Sequence, residues 1–172
     1  MKSTHLENGL EAWQAGDFER ALDTLHAAVE EDPDNAEAWY WYAATQDRLG
    51  MESLASAGYQ RALALGCQRR DEAHAFLASS LQKTWRPAEA LPHIRAALAT
   101  ADDRALYWAI FGNVMADQGD VVKAEAAYRT AIRLDPDLGL AWHGLGQLLG
   151  LMGQSDEAWE AFARARATGF LG

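Results

Sequence analysis

Apolar residues recur at helical spacing along most of this chain. Across Ala105–Asp117 the apolar set Trp108, Phe111, Val114 and Met115 marks one face of a helix. Gln118-Gly119-Asp120 then interrupts the pattern, with Asp120 placed to cap a second helix. Ala124, Ala127, Tyr128, Ala131 and Ile132 form the second stripe. Asp135-Pro136 ends it, because proline cannot continue the ladder of backbone hydrogen bonds. No stretch alternates with the period of a strand. The pattern predicts an all-α chain of short helix pairs.

This unit recurs. A frame of 34 residues places five copies at 2–35, 36–69, 71–104, 105–138 and 139–172, with Arg70 inserted between the second and third. The eighth place of each copy holds a small residue: Gly9, Ala43, Ala78, Gly112 and Gly146. The twentieth and twenty-seventh places hold alanine in all five. The twenty-fourth holds a large one: Leu25, Tyr59, Ile94, Tyr128 and Phe162. A small residue permits close helix approach, and a large one fills the gap beside it. Two helices of a dozen residues cannot bury their faces alone, so stacked pairs should share one continuous core. The absence of a linker predicts a single domain over 1–172.

The matched positions Trp108, Phe111, Gly112, Gly119, Ala124, Tyr128, Ala131 and Pro136 carry a family resemblance. The chain resembles the tetratricopeptide repeat (TPR) family over its full length. That resemblance implies an α-solenoid, with five antiparallel helix pairs in a right-handed superhelix. It also implies a protein-interaction module, an adaptor or chaperone-like scaffold that holds a partner's peptide segment on its first helices.

Carrying the family's groove places onto this chain gives Leu6, Leu10, Trp13, Tyr40, Ala44, Asp47 and Arg48 in the first two repeats. The later repeats contribute Ser79, Gln82, Lys83, Asn113, Asp117, His143 and Gln147. The N-terminal part of this lining is apolar and aromatic; the C-terminal part is polar. The lysine and asparagine clamp that some TPR proteins use for acidic chaperone tails is missing, since its places hold Leu6, Leu10, Trp41, Glu72 and Phe76. An alternative is a structural protein that forms homodimers or larger assemblies. Its candidate surface is the last repeat, through Trp159, Phe162, Phe170 and Leu171, where Phe170 and Leu171 could instead fold back as a lid.

The third repeat departs from the pattern. Its turn reads Thr84-Trp85-Arg86-Pro87 and lacks the usual glycine. Pro87 suits the first turn of a helix, while Pro92 predicts a bend or a late start. Trp85 is expected to fold over a neighbouring loop, with an exposed anchor as the alternative.

Composition narrows the function classes. Of 172 residues, 15 are Lys or Arg and 25 are Asp or Glu, so the net charge is -10. The first repeat carries -7 of it. An acidic chain repels phosphate backbones, which argues against nucleic acid and anionic membrane as partners. The single cysteine, Cys67, makes no internal disulfide and no cysteine-based zinc cage. It lies at a helix C-terminus, which does not stabilise a thiolate. The five histidines form no metal-ligand motif, and no nucleophile, base and orienting group recur together. No enzyme, cofactor or metal is expected. The N-terminus shows no apolar signal core, so the expected location is cytoplasmic, and the composition suits a bacterial protein.

Overall fold

A computed structural model of the chain describes residues 4–170. Those residues form ten helices and no strand. The chain divides into two compact units, Met1–Trp85 and Arg86–Gly172.

The first unit holds α1 (Thr4–Gln14), α2 (Phe18–Glu31), α3 (Ala36–Arg48), α4 (Glu52–Ala64) and α5 (Arg70–Lys83). Successive helices pack on one another, and α3 also touches α1 and α5. The second unit holds α6 (Pro87–Leu98), α7 (Ala105–Asp117), α8 (Val121–Leu134), α9 (Gly139–Leu151) and α10 (Ser155–Ala167). Here too neighbours in sequence pack together, and α7 touches α9.

The helix boundaries follow local chemistry. The carboxylate of Asp17 accepts from the Arg20 N–H, the Asn35 side chain from Ala38, and the predicted cap Asp120 from Lys123. Asp32 and Asp135 end α2 and α8 ahead of their prolines. Gly16, Gly50, Gly119 and Gly153 turn the chain between paired helices at φ of 74 to 78°. Trp85 occupies the same place in the third repeat and adopts φ 60°. A left-handed conformation costs a residue with a Cβ about 1–2 kcal/mol. Trp85 gains no burial in return, since it is 83% exposed. This corrects the expectation of a tryptophan folded over a loop. α6 starts at Pro87 and runs through Pro92, so no late start occurs. The inserted Arg70 is absorbed as the first residue of α5.

The small–large pairing operates within each unit. A Cβ added to Gly9 would lie 2.6 Å from the Leu25 side chain, and one on Gly146 would lie 2.8 Å from the Phe162 ring. The conserved spacing of tryptophan has a separate cause. The indole N–H groups of Trp39, Trp108 and Trp142 each donate to the carbonyl six residues earlier, on Pro33, Asp102 and Pro136, at 2.7–2.8 Å. Each bond ties the loop before a first helix to that helix and satisfies a loop carbonyl.

Candidate interaction surfaces on the first helices

The first helices of the repeats are α1, α3, α5, α7 and α9. Their fifth place holds Leu6, Tyr40, Ala75, Ala109 and His143. In the middle of the array this place is buried: Tyr40 is 3% exposed, and Ala75 and Ala109 are fully buried. The Tyr40 hydroxyl donates to the Glu72 carboxylate of α5 at 2.8 Å, so the phenol joins α3 to α5. A residue so placed offers no side-chain surface to a ligand. Arg69 lies over the Tyr40 and Trp41 rings, at 5.8 and 5.1 Å, and pairs with Glu72 and Glu37. This aromatic and ionic cluster binds α3 to the start of α5 and gives no motif in the sequence.

The remaining groove places of the first unit are at least partly open. Leu6, Leu10, Trp13, Ala44, Asp47, Ser79 and Gln82 are half-buried, and Arg48 and Lys83 are exposed. Leu6 packs against the core between α2 and α3. Trp13 makes edge contacts with Phe18 at 5.6 Å and Trp41 at 5.3 Å, and its indole N–H is buried without a hydrogen-bond partner. Arg48 sits 5.2 Å from the Phe18 ring centre. Lys83 meets Asp47 at 3.3 Å and Glu52 at 3.7 Å, so its charge is offset within the unit. Trp41 and Phe76, at the sixth place, are half-buried beside these residues.

In the second unit Asn113 is half-buried and accepts from the Tyr128 hydroxyl at 2.8 Å. Asp117 and Gln147 are exposed. The His143 ring packs on Phe162 at 5.5 Å and Phe170 at 5.3 Å. Phe170 thus folds back on α9, while Leu171 lies outside the described residues. Trp159 is 74% exposed on α10, whereas Phe162 is half-buried.

A cleft of about 470 Å³ opens beside Asp117 and Gln147. The rings of Tyr128 and Phe162 line it, together with Gly144, Gly146 and Gly150. Burial pushes the Tyr128 phenol well above its ordinary range, and the Asp117 carboxylate adds to the shift. The signal for this cleft lies in the repeat frame. The sixth place holds Trp41, Phe76 and Ile110 in the middle repeats but Gly144 in the fifth. The twelfth holds Trp13, Asp47, Gln82 and Ala116, then Gly150. Side chains that fill the other repeats are missing here.

Among the described residues no three His, Cys, Asp or Glu side chains come together as a metal set. Cys67 is 2% exposed, and burial raises its thiol pKa. No helix among them is long and apolar enough to cross a membrane.

Three models of the tetratricopeptide repeat match this sequence, over residues 12–78, 77–139 and 127–160. The chain belongs to the tetratricopeptide repeat family. Solved TPR structures share its all-α fold. MamA from Desulfovibrio magneticus RS-1 matches with a TM-score of 0.79 at 21% identity, covering 96% of this chain and 93% of that one. YrrB, described as a TPR protein with an unusual peptide-binding site, matches with a TM-score of 0.74 at 21% identity, covering 95% and 84%. Among curated proteins, FlbA of Caulobacter vibrioides is 28% identical over 135 residues, 76% of this chain. The chain spans about a fifth (22%) of FlbA's length. The TPR fold makes this protein an interaction scaffold in the general sense.

Proposed function

We propose that this scaffold binds a peptide segment of a partner protein on the first-helix face of its first unit. One observation carries this reading. Leu10, Trp13, Trp41 and Phe76 stand half-buried on three successive first helices, with Arg48 and the Asp47–Lys83 pair beside them. Aromatic surface with a polar rim is the usual composition of a binding hot spot. The peptide site named for the fold relative YrrB agrees with such a use of the fold. An adaptor or chaperone-like role follows from this mode of binding.

Trp13 is a poor probe of the face, since its contacts with Phe18 and Trp41 also hold the unit together. Leu10 is a better one. A photo-crosslinking residue at Leu10 or Gln82 should capture the same partner, while one at the exposed Gln60 of α4 should not. Leu10→Asp should weaken that partner about ten-fold or more, with the far-ultraviolet circular dichroism unchanged. Equal capture at Gln60, or undiminished affinity of Leu10→Asp, would remove the groove reading.

The exposure of Trp159 favours a second reading, association of copies through α10. Light scattering should then show a dimer that Trp159→Glu returns to monomer. A monomer at every working concentration would exclude it.

A further inference from the structure

We infer that the cleft of the second unit is a side-chain pocket, which receives a bulky aliphatic or aromatic residue of a partner peptide beside a Lys or Arg. The inference rests on the groove reading above and adds a second locus with its own selectivity. The key residue is Gly150. A glycine inside a helix is normally a loss of about 1 kcal/mol against alanine, and one retained there usually has a packing reason. Gly144 has such a reason, because a Cβ on it would lie 2.5 Å from the Tyr128 ring. Gly146 has one too, against Phe162. Gly150 has none: its Cβ would meet only the Ala158 Cβ, at 4.0 Å. What Gly150 provides is room, since it lines the cleft.

The chemistry of the walls defines the occupant. The rings of Tyr128 and Phe162 and the side chains of Leu148 and Leu151 give an apolar interior. The Tyr128 hydroxyl already donates to Asn113, so the interior asks for no polar atom there. At the rim stand the Asp117 carboxylate and the Gln147 amide. Neither α7 nor α9 carries a Lys or Arg, so the local field on this face is negative. An apolar residue adjoining a cation matches both features, and an acidic peptide does not.

The test uses the full ¹⁵N-labelled chain titrated with capped dipeptides and followed by amide chemical shifts. Ac-Trp-Arg-NH₂ should give saturable shifts centred on Gly144, Gly146, Gly150 and Gln147. Ac-Ala-Arg-NH₂ should bind about ten-fold more weakly, having lost the buried side chain. Ac-Trp-Glu-NH₂ should bind about five-fold more weakly, and Asp117→Asn should erase that difference. Gly150→Leu should abolish the shifts while melting no lower than the wild type, because the helix gains a better former and meets no clash. The proposal fails if shifts are absent or lie elsewhere, or if Gly150→Leu binds as well as the wild type. It also fails if the same glycine signals move with protein concentration alone, which would make a second copy the occupant. Failure here with capture retained at Leu10 would remove this pocket and leave the first-unit face intact.

Discussion

Tyr59→Ala is expected to cost the first unit about 3–5 kcal/mol, the range for truncating a large buried aromatic. Tyr59 is 1% exposed and is the largest fully buried side chain. Its ring lies 5.9 Å from Tyr40 of α3 and 6.1 Å from Phe76 of α5, so one side chain of α4 touches both neighbouring helices. Burial drives the phenol pKa far above its ordinary value, with the Asp47 carboxylate contributing next. The group therefore stays neutral at any working pH. Truncation would leave a cavity between three helices and remove the ring contacts together. Tyr59→Phe keeps the ring and should cost about 1 kcal/mol or less beside it. Urea unfolding followed at amide signals of α3, α4 and α5 would measure both. A loss below about 1 kcal/mol for the alanine variant would contradict the role assigned to this ring.

The second large effect is expected at Gly112. An added Cβ there would stand 2.6 Å from Cε1 and 2.7 Å from Cδ1 of Tyr128. The ring has no room to retreat. Gly144 of α9 backs it on the other side, where a Cβ would come within 2.5 Å, and the hydroxyl is tied to Asn113. Overpacking of a core costs about 1–3 kcal/mol, and a ring held on both sides belongs at the upper end. The gain of about 1 kcal/mol from replacing a helical glycine offsets only part of it. Gly112→Ala should therefore destabilise the second unit by about 2 kcal/mol net. In a Tyr128→Leu background the same substitution should cost about 1 kcal/mol less, a coupling that a double-mutant cycle reads directly. Thermal unfolding of the four proteins would provide it, and a stabilised Gly112→Ala would refute the cradle.

Much of this architecture was legible from residue order. Asp120 as a helix cap, Asp135 as a stop and Pro87 at the first turn of α6 are local effects, decided within four residues of the site. The pairing of Gly112 with Tyr128 was legible for another reason: it repeats, and Gly9–Leu25 and Gly146–Phe162 show the same contact. Trp85 was misread because buried tryptophan is the commoner case. At this turn the backbone must take a positive φ, and the side chain is carried outward whatever its size.

The candidate site was less legible, because groove places are defined by what lies across from them. Tyr40 and Leu6 share the fifth place, yet Tyr40 is buried with its hydroxyl on Glu72 and Leu6 is half-buried. Only the packing of α3 on α5 separates the two. The cleft needed both the frame, which shows glycine at the sixth and twelfth places, and the coordinates, which show Gly144 closed by Tyr128 and Gly150 open.

By itself the sequence determined the helices, their punctuation, the 34-residue repeat and the small–large contacts inside it, because each depends on neighbours a fixed distance along the chain. Tertiary structure decided which apolar residues remain partly open, that Lys83 is held by Asp47 and Glu52, and that Tyr128 sits between two glycines with space beside it. Those outcomes depend on side chains from separate helices meeting in three dimensions, and no spacing along one helix encodes them.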